Sequence, residues 1–155
     1  MGPLELPCPP FNAWILSKSL ETLYLRMEKH CSQAYEIALR LEKNEHVAWV
    51  KYPFLDSHPQ QKIAKDQMKY GGGIVTFQIK GGLEAGRKFL DKLNLFSLTP
   101  NLGDSRSIAT HPASTTHRQL NPEELAKAGV SEDMVRLSVG IEHIDDLMAD
   151  LEQAL

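Results

Sequence analysis

A chain of 155 residues with 42% hydrophobic and 24% charged side chains is sized and composed for one globular domain, or one domain with a docking arm. Its net charge of −3 gives no electrostatic case for nucleic acid or an anionic membrane, so neither is expected as a partner. Cys8 and Cys31 make no disulfide framework, and no apolar run approaches the roughly 20 residues of a bilayer span; a cytoplasmic protein is expected.

Residues 1–13 hold four of the nine prolines and read as an extended arm, with Asn12 placed to cap a helix beginning just after it. From Trp14 to Glu42, apolar residues at Leu16, Leu20, Leu23, Met27, Cys31, Ala34, Ala38 and Leu41 recur three or four apart, which predicts one long helix over 14–42. At about 1.5 Å per residue such a helix exceeds what a domain of this size covers, so its first half should seek another surface. Residues 43–155 then form the domain proper. Val47 to Tyr52 reads as a short strand ended by Pro53, Ile63 to Met68 as a helical turn or two, and Ile74 to Lys80 as a half-buried strand alternating Val75, Phe77 and Ile79 with polar residues. A helix carrying Leu83, Phe89, Leu90 and Leu93 comes after Gly81 and Gly82, then a strand at Leu95 to Thr99. Pro100 to Leu120 is rich in small polar residues and has no periodicity, so it reads as a long functional loop. Asn121, Pro122 and Glu124 start a helix that Gly129 ends. Val135, Leu137 and Val139 alternate along a last strand, and Ile144, Leu147, Met148, Leu151 and Leu155 line a closing helix. The order predicts an α/β, or two-layer α+β, domain with about four strands.

Most chemical patterns in the chain are weak. The glycine clusters lack the spacing of phosphate loops, and His111 with His117 has no further ligands to make a metal site, so no metal is expected. Ser105, His111 and Asp104 match a nucleophilic triad in composition alone. Arg136 differs in kind. A guanidinium between Val135 and Leu137 in a strand needs acceptors, and two partners stay open: an internal carboxylate such as Glu142 or Asp104, or the carboxylate of a ligand held by two parallel hydrogen bonds. In either case the face carrying Arg136 and Ser138 should look toward the polar segment from Asn101 to His117.

The runs NLGDSRSIATHPASTTH, VRLSVGIEHIDDLMADLEQAL and FNAWILSKSLETLYLRMEKH resemble the C-terminal part of the Cys/Met-metabolism family of pyridoxal-phosphate enzymes across essentially the whole chain. Within that family the chain is most similar to the O-acetylhomoserine sulfhydrylase branch, through Asp104, Arg106 and Thr115. The resemblance implies an aspartate-aminotransferase-like (fold type I) architecture, of which this chain is the small C-terminal domain with its linking helix. It implies that Arg136 binds the α-carboxylate of an amino-acid substrate such as O-acetylhomoserine, with Asn101 helping in place of the family's usual serine and Thr116 lining the pocket. It also implies pyridoxal phosphate and a homo-oligomer in the complete enzyme. The family's Schiff-base lysine lies in a Ser-x-Thr-Lys sequence that this chain does not contain, so no catalytic and no cofactor-binding residue is assigned here and the chain alone is expected to be inactive. The alternatives are a fragment of a cystathionine or methionine lyase or synthase of the same family, or a non-catalytic module that associates through the helix at Trp14 to Met27.

Overall fold

Period-two alternation in two stretches far apart in sequence builds the centre of the molecule. In the computed structural model, which describes residues 8–112, 122–127, 130, 131 and 133–155, β2 (Ile74–Ile79) pairs antiparallel with β5 (Met134–Ser138), setting Phe77 opposite Val135 and Thr76 opposite Arg136. β1 (Val47–Lys51) flanks β2, while β4 (Ile108–Thr110) and then β3 (Ser97–Leu98) extend the other side, giving the order β1-β2-β5-β4-β3. All pairs are antiparallel except β3 with β4, so the sheet is mixed.

One face of this sheet meets helices. Val75, Phe77, Val135 and Leu137 pack with Ile37, Ala38 and Leu41 of α2 (Leu23–Glu42), Phe89 of α4 (Gly82–Lys92), and Leu147 and Leu151 of α6 (Ile144–Ala154) in a single buried cluster. Phe77 and Phe89 meet edge to face at 5.6 Å between centroids. Each of these side chains other than Ala38 contributes about 1.5–3 kcal/mol by leaving water. The Asp150 carboxylate of α6 accepts the backbone N–H groups of Asn94, Leu95 and Phe96, which aims the chain into β3. Burial alone would raise its pKa, but those donors outweigh burial and hold it below the ordinary value.

Three expectations change. The sheet has five strands rather than about four, because β4 lies inside the segment read as an unbroken loop. Ser107, Ile108, Ala109 and Thr110 are all buried, so no alternation marks the strand. The long helix is two: α1 (Pro10–Glu21) and α2, parted at Thr22. Arg26 Nη1 donates to the Ser19 carbonyl at 2.9 Å, and Ser19 Oγ bonds back to the Ile15 carbonyl at 2.8 Å, so local side chains compete with the helical ladder there. α1 also starts earlier than expected, at Pro10 rather than after Asn12; proline suits the first helical position, where an N–H has no partner. The remaining helices, α3 (Gln61–Gln67) and α5 (Pro122–Lys127), fall where the breakers place them, and the expected end of α5 at Gly129 lies outside the described residues. No helix among the described residues is long and apolar enough to cross a membrane.

Candidate functional site

The second face of the sheet carries polar side chains. Arg136 stands half-buried at the middle of β5 with Thr76 and Thr110 as its cross-strand neighbours. Its Nη2 donates to the Pro100 carbonyl at 3.0 Å. One such bond uses one hydrogen of Nη2, and whichever it uses, a two-donor edge of the planar guanidinium stays available for a carboxylate. Among the described residues Arg136 forms no ion pair. The two acids considered as its partners, Glu142 and Asp104, are engaged elsewhere. Glu142 accepts from Ser107 N and Ser107 Oγ at 2.7 and 2.9 Å, and Asp104 pairs with Arg106 at 3.1 Å, where the guanidinium holds the Asp104 carboxyl below its ordinary pKa.

The segment after β3 crosses this face and is fixed to it at three points. Thr110 Oγ1 donates to the Thr99 carbonyl at 2.6 Å, Arg136 donates to the Pro100 carbonyl, and Ser138 Oγ accepts from Gly103 N at 2.9 Å. Gly103 turns the chain with φ near +81°, a conformation that favours glycine. Asn101 and Leu102 form the exposed crest between the second and third attachments. Asn101 therefore sits in the chain directly after the carbonyl that Arg136 holds. Thr116 lies outside the described residues.

The end of β5 is fixed just as closely. Val139 N donates to the Gly73 carbonyl at 2.9 Å, Gln33 Nε2 to the Gly140 carbonyl at 2.7 Å, and the His30 ring bonds the Val139 carbonyl through Nδ1 at 2.5 Å. A Cβ on Gly140 would come within 2.5 Å of the Ser105 carbonyl oxygen and of Ser107 N, so only glycine lets Glu142 reach Ser107 here.

Sequence reasoning placed Arg136 and Ser138 on the face toward the polar segment, and the structure brings them to Pro100–Gly103. It missed that this face of β5 is covered at both ends: Met134 packs with Val130 and Trp49, and Ser138 is 3% exposed. It also missed Thr110 and Ser138 as anchors. The signal for Ser138 was its place two residues after the arginine in the alternating pattern, and Thr110 carried none.

The family described as "Cys/Met metabolism PLP-dependent enzyme" matches residues 6–155. The chain is 50% identical over 147 residues to O-acetyl-L-homoserine sulfhydrylase 1 of Thermus thermophilus, covering 94% of this chain and 35% of that protein. It is 49% identical over 146 residues to an L-methionine gamma-lyase of Pseudomonas putida, covering 94% of this chain and 37% of that one. A crystal structure from Campylobacter jejuni, described as a putative O-acetylhomoserine (thiol)-lyase with N'-pyridoxyl-lysine-5'-monophosphate, superposes with a TM-score of 0.89 at 45% identity, over 94% of this chain and 35% of that chain. The chain thus spans about a third of the length of the relatives it matches.

Proposed function

We propose, from the premise that this chain belongs to the Cys/Met metabolism family of PLP-dependent enzymes, that it supplies the substrate-carboxylate clamp of an O-acetylhomoserine sulfhydrylase-like transferase. In this reading the chain is the C-terminal, substrate-facing domain, residues 43–155, with α1 and α2 as its linking helices. Arg136 receives the α-carboxylate of O-acetylhomoserine on its free two-donor edge, and Asn101 adds a side-chain or backbone contact from the neighbouring crest. The observation that carries the reading is a half-buried guanidinium with a backbone carbonyl as its partner, while the two candidate acids, Glu142 and Asp104, are bound to other groups. A charge so placed is matched by a carboxylate from outside the chain.

Pyridoxal phosphate does not fit the residues present. A Schiff base needs an amine in an enclosed site, and every lysine of the described residues lies exposed. The cofactor therefore belongs to another part of the complete enzyme, and this chain's share of the chemistry is orientation. Fixing an amino acid by two hydrogen bonds presents one face of its Cα to the reacting centre, and positioning of this kind contributes about 7 kcal/mol at the low end of usual values. The choice of sulfhydrylase over lyase rests on the resemblance at Asp104, Arg106 and Thr115, since relatives of both names are similarly close.

In an enzyme of full family length that carries this sequence, Arg136→Lys should raise KM for O-acetyl-L-homoserine about 100-fold, from the loss of bidentate geometry. The assay uses sulfide as second substrate and homocysteine as product. An unchanged KM contradicts the clamp, and γ-elimination of methionine in preference to homocysteine synthesis favours the lyase.

One observation supports a second reading, self-association. α1 buries none of its residues and exposes Phe11 (66%), Trp14, Leu16 (62%) and Leu20 (65%), and α2 begins with Leu25 exposed as well. Exposed apolar side chains on both sides of a helix suit a contact with another copy or with the rest of a longer chain.

A further inference from the structure

The Pro100–Gly103 segment lies between two open spaces. A cavity of about 250 Å³ is lined by Leu98, Thr99, Pro100 and Thr110, and one of about 230 Å³ by Leu102, Gly103 and Ser138 together with Met27, His30 and Ile74. Among the described residues packing is therefore thin on both sides of the segment, and hydrogen bonds at Thr99, Pro100 and Gly103, followed by that from Ile141 N to the Ser105 carbonyl, decide where it rests. Two of them come from residues two apart on the same strand. Arg136 and Ser138 project from one face about 7 Å apart, and they hold the segment at Pro100 O and Gly103 N.

We infer that Ser138 is a positioning residue for Arg136: by accepting the Gly103 N–H, its hydroxyl holds the segment where the Pro100 carbonyl can accept from Arg136 Nη2, and so selects the guanidinium edge left for a ligand. Ser138 itself is not placed to meet the ligand through that lone pair, which Gly103 already uses. Removing the hydroxyl frees the segment at Gly103, leaving the Ser105 carbonyl on Ile141 N as the next attachment, and leaves the Gly103 N–H to water. The Pro100 carbonyl then drifts and Arg136 loses its fixed rotamer. The consequence for binding rests on the carboxylate reading above; the coupling between Ser138 and Arg136 does not.

The experiment is NMR on the isotopically labelled 155-residue chain, comparing wild type with Ser138→Ala and Ser138→Thr, with circular dichroism as the check on folding. Without ligand, Ser138→Ala should speed exchange of the Gly103 amide about fivefold, the size of one neutral hydrogen bond, and should broaden or shift the Arg136 side-chain N–H signals. Ser138→Thr, which keeps the hydroxyl, should restore both. If threonine is too large for the site, Ser138→Cys, a weak acceptor of similar size, should fall between serine and alanine. Arg136 signals that stay unchanged while the Gly103 amide loses protection would overturn the inference. Titration with O-acetyl-L-homoserine, against the decarboxylated 3-aminopropyl acetate as control, then separates the two claims. If neither compound moves Arg136 in wild type, the carboxylate reading fails while the ligand-free comparison still decides the coupling. If only the amino acid binds, Ser138→Ala should weaken it about fivefold.

Discussion

Arg136 could be read from the sequence, and its partner could not, for one physical reason. A cation between apolar neighbours in an alternating strand announces that it needs an acceptor, but the acceptor here is a backbone carbonyl, which no residue letter encodes. The candidate acids Glu142 and Asp104 were sensible by charge, and each is claimed by a nearer donor, Ser107 and Arg106. Gly140 illustrates the same limit. Nothing in its neighbours along the sequence tells that its missing side chain makes room for the approach of Ser105, Ser107 and Glu142. Gly140→Ala is accordingly expected to destabilise the fold by about 3 kcal/mol, the upper range for overpacking, since two of the three obstructing atoms are backbone and cannot swing aside. Denaturant unfolding measures it, and a loss within about 0.5 kcal/mol, as at ordinary surface sites, would show that the β5 terminus is looser than described.

At the scale of elements, strands with a clean inside and outside were legible, and elements buried on all sides were not. β2 shows alternating burial over six residues and was found close to its observed limits. β4 is three residues with every side chain buried, and its pairing with β5 puts Thr110 beside Arg136, so the unread element belongs to the site. α1 presents the opposite case, in which periodicity is present and burial is absent. Its apolar spacing continues into α2, but burial begins only at His30. Twelve residues with no buried face make a marginal helix unless something covers them. Replacing Leu16 and Leu20 together by glutamate should leave the stability of the sheet domain unchanged within about 0.5 kcal/mol, because neither residue touches the core. The same double substitution should abolish any concentration dependence of the chain's size in sedimentation. A wild-type chain that stays monomeric at every concentration would remove the self-association reading.

For the whole molecule, family membership and fold agree with the order of elements, and the added observation is a division of labour. One face of the sheet is sealed by α2, α4 and α6 around Phe77 and Leu137, and it holds the sheet rigid. The other face carries Thr110, Arg136 and Ser138, which hold the Thr99–Gly103 segment by hydrogen bonds. A rigid sheet under a segment fixed by hydrogen bonds suits a device that locates a small charged group. The positions of Thr110 and Ser138 depend on strand register, which residue periodicity specifies only once the partner strands are known. That is why the place of Arg136 on the polar face was legible and its supports were not. The most direct test of the carboxylate clamp is a crystal structure of a full-length family enzyme carrying this sequence, bound to O-acetyl-L-homoserine or a non-reacting analogue with the same α-carboxylate. Both carboxylate oxygens are expected within about 3 Å of two nitrogens of Arg136, with Nη2 still on the Pro100 carbonyl. A substrate carboxylate bound to other groups, with Arg136 meeting only Pro100 or an internal acid, would contradict the clamp.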